Sequence, residues 1–291
     1  MTDDRTPCPR STTPPAARRL AVAGALLACA GFALFALTGS TAAARPGPER
    51  PAPERPAPER PAPERAAPGG APLDVLQLNL CHRDADGCAG DDDTAVRSGI
   101  AAIRQRGPDV VTLNEVCAHD ITTMSRDTGY RAEFAPELTG DAPVRCADGR
   151  GDHGVAVLTH RDLGASDGAV VERGFAAQDA GPTRRVLLCV PFPALSACTA
   201  QLSPADPAVA RRQCAELVGA ATGTGRLAVV GGDLNLTAEA DVRGCLPANW
   251  SHAGDGAVQH VLADTGFTFV RSENLPVDGS SHPGLLAELT G

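Results

Sequence analysis

Leu227-Ala228-Val229-Val230-Gly231-Gly232-Asp233-Leu234-Asn235 is an apolar run that breaks into two glycines, a carboxylate and an amide. Residues 227–230 have the composition of a buried strand, and the glycines after it permit the backbone to turn closely around a bound group. Residues two apart on an extended chain share a face, so Asp233 and Asn235 are placed to converge on one oxyanion or one hard cation. Gly-Gly-Asp after a strand is also an ordinary turn. The rest of the chain decides between these readings.

Working outward, strands and helices alternate. Residues 73–80 read as an apolar strand that reaches Asn79 near its end and runs into a Cys-bounded loop. Asp91, Asp92 and Asp93 suit the positive end of an amphipathic helix in which Val96, Ile100 and Ile103 share a face, and Gly107-Pro108 stops it. Residues 110–114 read as a buried strand with Glu115 at its end. The same grammar predicts a strand at 155–159, a hairpin of 186–192 with 195–202, a helix at 207–220 and late strands at 258–263, 267–270 and 285–289. This is one mixed α/β domain over residues 72–291.

The segments before it have other roles. In residues 1–44, Arg18-Arg19 precedes an apolar stretch at 20–37 and a small-residue exit, which predicts a cleaved signal peptide or an N-terminal membrane anchor that would tether the domain. Residues 45–71 carry a Pro-Glu-Arg-Pro-Ala repeat without hydrophobic periodicity, the composition of an extended, disordered linker. Either reading of the first segment makes the domain secreted or extracytoplasmic.

Cysteine usage agrees with export. Of 10 cysteines, the eight from Cys81 onward read as disulfides. Cys81 with Cys88 would close a short polar loop, and Cys189 with Cys198 would join neighbouring strands. Cys-x-x-Cys pairs and Cys/His clusters of zinc type are missing. From Pro72 onward 29 Asp and Glu stand against 17 Arg, so a broad basic surface for duplex nucleic acid is not evident. No protein partner can be inferred.

Polar residues recur at strand ends: Asn79, Glu115, the Asp233/Asn235 pair, and His282 in Ser281-His282-Pro283. With Leu76-Gln77-Leu78-Asn79, the D-V-V-T-L-N-E string over 109–115, G-V-A-V-L-T over 154–159, and Gly231-Gly232-Asp233-Leu234-Asn235, they form an ordered set. That set resembles the endonuclease/exonuclease/phosphatase superfamily, with its deoxyribonuclease-I-like or sphingomyelinase-like fold. The resemblance implies an α/β (α+β) four-layer sandwich of two packed, mainly antiparallel mixed sheets flanked by helices.

It also implies a phosphoesterase dependent on Mg2+ or Mn2+ and acting on a phosphate ester, in nucleic acid or a lipid headgroup, which the leader and the cysteines make an exported one. Glu115 and Asn79 resemble the metal-site residues, with Glu115 the direct ligand. Asp233 resembles the group that orients or deprotonates the attacking water. Asn235 resembles the one that holds a phosphate oxygen, and His282 the acid or electrostatic partner. Three positions depart from the pattern. Gln201 stands where relatives carry histidine, Gln259 where they carry aspartate, and Ser281 where an aspartate precedes the histidine. His153 and His260 are candidate auxiliary groups. The alternative is a catalytically weakened member acting as a surface binding module.

Overall fold

The computed structural model describes residues 72–82 and 93–291. The predicted leader at 1–44, the linker at 45–71, Asp91, Asp92 and Cys88 lie outside the described residues.

β1 (Pro72–Asn79) is followed by α1 (Thr94–Arg106), which Gly107 closes in the left-handed conformation with its N–H on the Ile103 carbonyl. β2 (Val110–Cys117) passes without a loop into α2 (Ala118–Thr128), and β3 (Arg131–Pro136) leads to the short strands β4 (Leu138–Thr139) and β5 (Ala142–Pro143). Then come β6 (His153–Thr159), β7 (Val171–Gly174), β8 (Thr183–Arg184), β9 (Val186–Pro191) and β10 (Leu195–Gln201). α3 (Pro207–Gly223) has proline in its first turn, and the Asp206 side chain accepts from the Ala208 and Val209 amides. β11 (Leu227–Asp233), α4 (Glu239–Cys245), β12 (Ser251–Gly254), β13 (Gln259–Ala263), β14 (Thr268–Leu275) and β15 (Gly284–Thr290) complete the domain.

Two six-stranded sheets result, ordered β14-β15-β1-β2-β6-β3 and β12-β13-β11-β10-β9-β7. Each has one parallel pair at its centre, β1 with β2 and β10 with β11, and every other pairing is antiparallel. α1 crosses over between the first parallel pair and α3 between the second, as parallel pairing requires. Three apolar clusters separate four layers. One holds Leu76, Leu78, Val111 and Leu113 against Ile100, Ile103 and Met124 of the helices. One fills the space between the sheets with Val75, Val110, Leu188, Ala197 and Val229. The third packs Cys198, Val230 and Leu262 on Leu217 and Val242. This is the four-layer sandwich expected from the sequence.

The strand residues that face the opposite sheet change character along the chain. They run Leu73, Val75, Gln77, Asn79 in β1; Val110, Thr112, Asn114 in β2; Leu195, Ala197, Thr199, Gln201 in β10; and Val229, Gly231, Asp233 in β11. The inter-sheet layer is therefore apolar at one end and polar at the other. The polar end coincides with the carboxyl termini of all four parallel strands, where ligands bind open α/β sheets.

Several boundaries differ from the sequence reading. The Gly231-Gly232 pair is strand, not turn: β11 continues through it to Asp233. A Cβ at Gly231 would collide with the Thr112 side chain of the facing sheet, and one at Gly232 with the Ala200 carbonyl. Gly231 thus lets the two sheets approach closely at the polar end, and Gly232 accommodates the neighbouring β10 backbone of its own sheet. β14 extends well past residue 270, and α2, β3, α4 and β12 were not predicted.

Three described disulfides join Cys117–Cys146, Cys189–Cys198 and Cys214–Cys245. Cys189 and Cys198 are directly opposed in the β9/β10 pair, as predicted. Cys81 is disulfide-bonded as well, and its predicted partner is outside the described residues. Such bonds point to an oxidising environment. Among the described residues no helix is long and apolar enough to cross a membrane.

Candidate functional site

At the polar end of the sandwich, four carboxyl-terminal strand positions meet. Asn79 closes β1, Glu115 lies near the end of β2, Gln201 closes β10 and Asp233 closes β11. The Asn79 side-chain amide donates to Glu115 Oε1 and to Asp233 Oδ2, both at 2.9 Å, and so bridges carboxylates from the two sheets. Its carbonyl accepts from the Cys81 amide at 2.8 Å. Carboxylates accept and backbone N–H groups donate, so only one orientation of this amide satisfies all three contacts. Asn79 therefore presents NH2 to the carboxylates and orients them, which leaves direct ligation to the carboxylates themselves.

Glu115 reaches the cleft because β2 is irregular there. The register with β6 shifts between Leu113 and Val116, and Glu115 has a φ of 50°. A regular strand would turn Glu115 away from inward-facing Asn114; the bulge re-aims it. Cys81 and Asn235 are the other non-glycine residues with positive φ among the described residues, at 56° and 50°. All three flank the same cleft. Left-handed backbone at such residues costs on the order of 1–3 kcal/mol each and persists where the surroundings impose it.

Asp233 accepts three N–H bonds: Asn79 and Gln259 (3.1 Å) at Oδ2, and the Asn235 amide (3.2 Å) at Oδ1. Burial pushes its carboxyl up, the Asn79 bond and the His282 charge act downward, and the Glu115 charge acts upward; the outcome is a raised pKa. Asp233 and Asn235 are joined through this tight turn, by the Asn235 backbone amide, and are not neighbours on one face of a strand. Asn235 uses one amide N–H on the Leu202 carbonyl at 2.9 Å. The His282 backbone amide donates to Ser280 Oγ at 3.1 Å, and Ser280 Oγ donates to the Asn79 carbonyl at 2.7 Å, which pins the histidine loop to the end of β1. The His282 imidazole makes no hydrogen bond to the described residues. Ser281 Oγ lies 3.3 Å from Cys81 Sγ instead of supporting that ring.

Beneath the carboxylates runs a buried ladder of amides, in which Gln77 and Asn114 had no role in the sequence reading. Gln77 donates to Asn114 Oδ1 (2.7 Å) and Gln259 Oε1 (2.9 Å) and accepts from Thr112 Oγ1 (2.5 Å). Asn114 Oδ1 also accepts the Asp233 amide at 2.7 Å. Gln259, where relatives are expected to carry aspartate, is thus a neutral strut between Gln77 and Asp233. Gln201 donates to Glu115 Oε1 at 2.5 Å.

The two auxiliary histidines part company. His153 opens β6 at the same edge, fully buried, with Nδ1 3.3 Å from Glu137 Oε2. His260 follows Gln259 in β13 and faces the other side of the sheet, where Nε2 lies 2.9 Å from the Leu236 carbonyl. A third grouping, His82, Cys117 and Asp120, has metal-like spacing. Cys117 is oxidised and His82 Nδ1 is 2.6 Å from Asp120 Oδ2, so a carboxylate–histidine pair accounts for it.

The donor set fits a hard divalent cation. Glu115 and Asp233 are oxygen donors joined by one amide, and no arginine or lysine is bonded to either among the described residues. Glu115 Oε2 makes no hydrogen bond there and remains available.

The family model of the Endonuclease/Exonuclease/phosphatase family matches residues 76–282, which spans all of these positions except the last strand. The chain belongs to the Endonuclease/Exonuclease/phosphatase family. Solved structures agree in fold. D. rerio TDP2 complexed with single strand DNA product is 13% identical with a TM-score of 0.57, covering 76% of this chain and 99% of that one. The human Nocturnin catalytic domain with bound sulfate anion is 15% identical with a TM-score of 0.56, covering 75% and 93%. The endonuclease/exonuclease/phosphatase from Bacteroides vulgatus is 11% identical with a TM-score of 0.61, covering 75% and 98%. No curated protein matches the sequence.

Proposed function

We propose that this family member is an exported phosphoesterase that depends on Mg2+ or Mn2+ and hydrolyses phosphodiester or phosphomonoester bonds. The observation that carries the reading is the pair Glu115 and Asp233, bridged by Asn79 and, among the described residues, bonded to no cationic side chain, at the carboxyl ends of the parallel strands. Glu115 Oε2 would hold the cation, with Asn79 orienting the carboxylate. When bound, the cation supplies Lewis-acid stabilisation of the phosphoryl oxygens.

The other roles belong to the chain. Asp233, its Oδ2 engaged by two amides, offers Oδ1 to orient or deprotonate a water. Asn235 has a second amide proton for a phosphate oxygen. His282, whose imidazole makes no hydrogen bond to the described residues and lies within electrostatic reach of Asp233, would stabilise the developing negative charge or protonate the leaving oxygen. The substrate is a phosphate ester of nucleic acid or of a lipid headgroup, and the acidic balance of the domain favours a small or single-ester substrate over a long duplex. The linker and leader would deliver the domain outside the membrane, either free or tethered through 20–37.

The test is hydrolysis by the purified full-length chain with Mn2+, Mg2+ or a chelator, on bis-p-nitrophenyl phosphate, p-nitrophenyl phosphate, plasmid DNA and sphingomyelin. Turnover of at least one ester that the chelator abolishes is expected. Silence on every ester, with both metals, would favour the binding-module alternative.

A further inference from the structure

Arg185 sits one residue before β9, 7% exposed, in a place where the phosphoesterase reading gives it no task. Its Nη1 donates to Glu137 Oε1 at 2.7 Å and to Gln201 Oε1, and Gln201 in turn donates to Glu115 Oε1. We propose that Arg185 is a positioning residue for the cation-binding carboxylate Glu115, acting through the Gln201 amide. This inference rests on the metal-dependent reading above.

Three observations carry it. First, the relay has a single polarity. Arginine only donates and an ionised carboxylate only accepts, so a flipped Gln201 would set its NH2 against the guanidinium and its carbonyl against Glu115. Arg185 therefore removes the rotational ambiguity of the amide and keeps its NH2 on Glu115. Second, the amide takes only one carboxylate oxygen. Gln201 and Asn79 both donate to Oε1, and Oε2 has no hydrogen bond among the described residues. A guanidinium placed directly on Glu115 would tend to engage both oxygens in a fork and compete with the cation. One residue back, the positive charge polarises the amide without occupying the ligand. Third, the guanidinium is itself held. Glu137 is 1% exposed and shares Nη1 with Gln201, while His153 lies 3.3 Å from the second Glu137 oxygen. Burial works to raise the Glu137 carboxyl, and the His153 and Arg185 contacts outweigh it to hold the group ionised. Gln201, where relatives are expected to carry histidine, is thus the joint between a buried ion pair and the metal carboxylate.

Equilibrium binding of Mn2+ to the full-length chain, followed by titration calorimetry alongside hydrolysis of bis-p-nitrophenyl phosphate, tests the relay. Gln201→Met removes the amide and retains the volume; Arg185→Lys retains the charge and the Glu137 pair but loses the planar fork. Gln201→Met is expected to weaken Mn2+ binding about 10- to 100-fold, the usual scale for groups that orient a ligand, with substrate KM at saturating Mn2+ unchanged. Arg185→Lys is expected to weaken Mn2+ binding in the wild-type background and to add nothing in the Gln201→Met background, because its effect passes through that amide. If Gln201→Met does not fold by thermal unfolding, Gln201→Asn, too short to bridge, carries the same expectation. Mn2+ binding unchanged by the Gln201 variant, or an equal Arg185→Lys effect in both backgrounds, overturns the relay while leaving the phosphoesterase reading intact. A wild-type chain that binds no Mn2+ overturns both.

Discussion

Glu115 and Asp233 approach each other only because neutral amides surround them: Asn79 touches both, Gln201 serves the first and Gln259 the second. Replacing one of these donors by a carboxylate reveals how closely the site is balanced. Gln259→Glu would bury a third acidic group against Asp233, whose carboxyl burial and Glu115 already push up. A carboxyl raised in the folded state adds stability below its unfolded pKa and loses it as pH rises through the folded one. The variant should therefore lose about 1–3 kcal/mol at neutral pH, and the deficit should shrink on acidification, as urea unfolding at pH 7 and pH 4.5 would show. An equal deficit at both values would contradict this. At this scale the sequence showed the ends of the strands and hid what supports them. Asn79, Glu115 and Asp233 are conspicuous as polar residues closing apolar runs. Gln77, Thr112, Asn114 and Thr199 are not, because a polar residue at alternate strand positions ordinarily signals a solvent-facing side. Here those positions face another sheet, and only the pairing of the two sheets makes that visible. Arg185 and Glu137 were missed for a related reason: they sit in irregular segments whose partners lie 48 residues apart.

The elements that carry the site are tied down by ion pairs and disulfides. Glu137 lies between β3 and β4, and its carboxyl is held below the ordinary carboxylate range by His153 and Arg185 against the opposing effect of burial. A depressed carboxyl adds stability above its unfolded pKa and loses it as pH falls through the folded one. Glu137→Gln should accordingly cost about 3 kcal/mol at pH 7, since it leaves a buried guanidinium unbalanced. The difference from wild type should fade below about pH 4, which denaturant unfolding at pH 7 and pH 3 would check. The Cys117–Cys146 bond joins the start of α2 to the segment ahead of β6, closing a span of 29 residues. Replacing both cysteines by alanine should lower stability by about 3 kcal/mol through the unfolded chain, measurable as a shift in the urea midpoint. Helix ends were legible where Gly107 stops α1 and Pro207 opens α3. α2 was not, because it leaves β2 with no turn residues between them. The glycine pair at Gly231-Gly232 was misread for a physical reason: glycine that serves close sheet approach looks the same in sequence as glycine that serves a turn.

Over the whole molecule, two sheets of matching order place the carboxyl ends of their parallel strands at one rim. That rim bonds residues as far apart as Asn79 and Ser280, 201 positions from one another. The mixed α/β class was readable from strand and helix order, the four-layer architecture only through the family resemblance, and the rim from the polar strand ends. The acidic excess over residues 72–291 adds a further constraint, since it disfavours long polyanions, and in the proposed function a bound cation would offset the charge of a phosphate ester. The central claim is that Glu115 would hold a divalent cation beside the water-orienting Asp233, and that this site hydrolyses phosphate esters. The measurement that tests it most directly is the rate of bis-p-nitrophenyl phosphate hydrolysis against Mn2+ concentration for wild type and Glu115→Gln, both confirmed folded by thermal unfolding. The account predicts saturable Mn2+-dependent turnover in the wild type and a loss on the order of 100-fold or more in the variant, at least the scale seen when groups that orient metal ligands are removed. Equal rates for the two proteins at every Mn2+ concentration would contradict it.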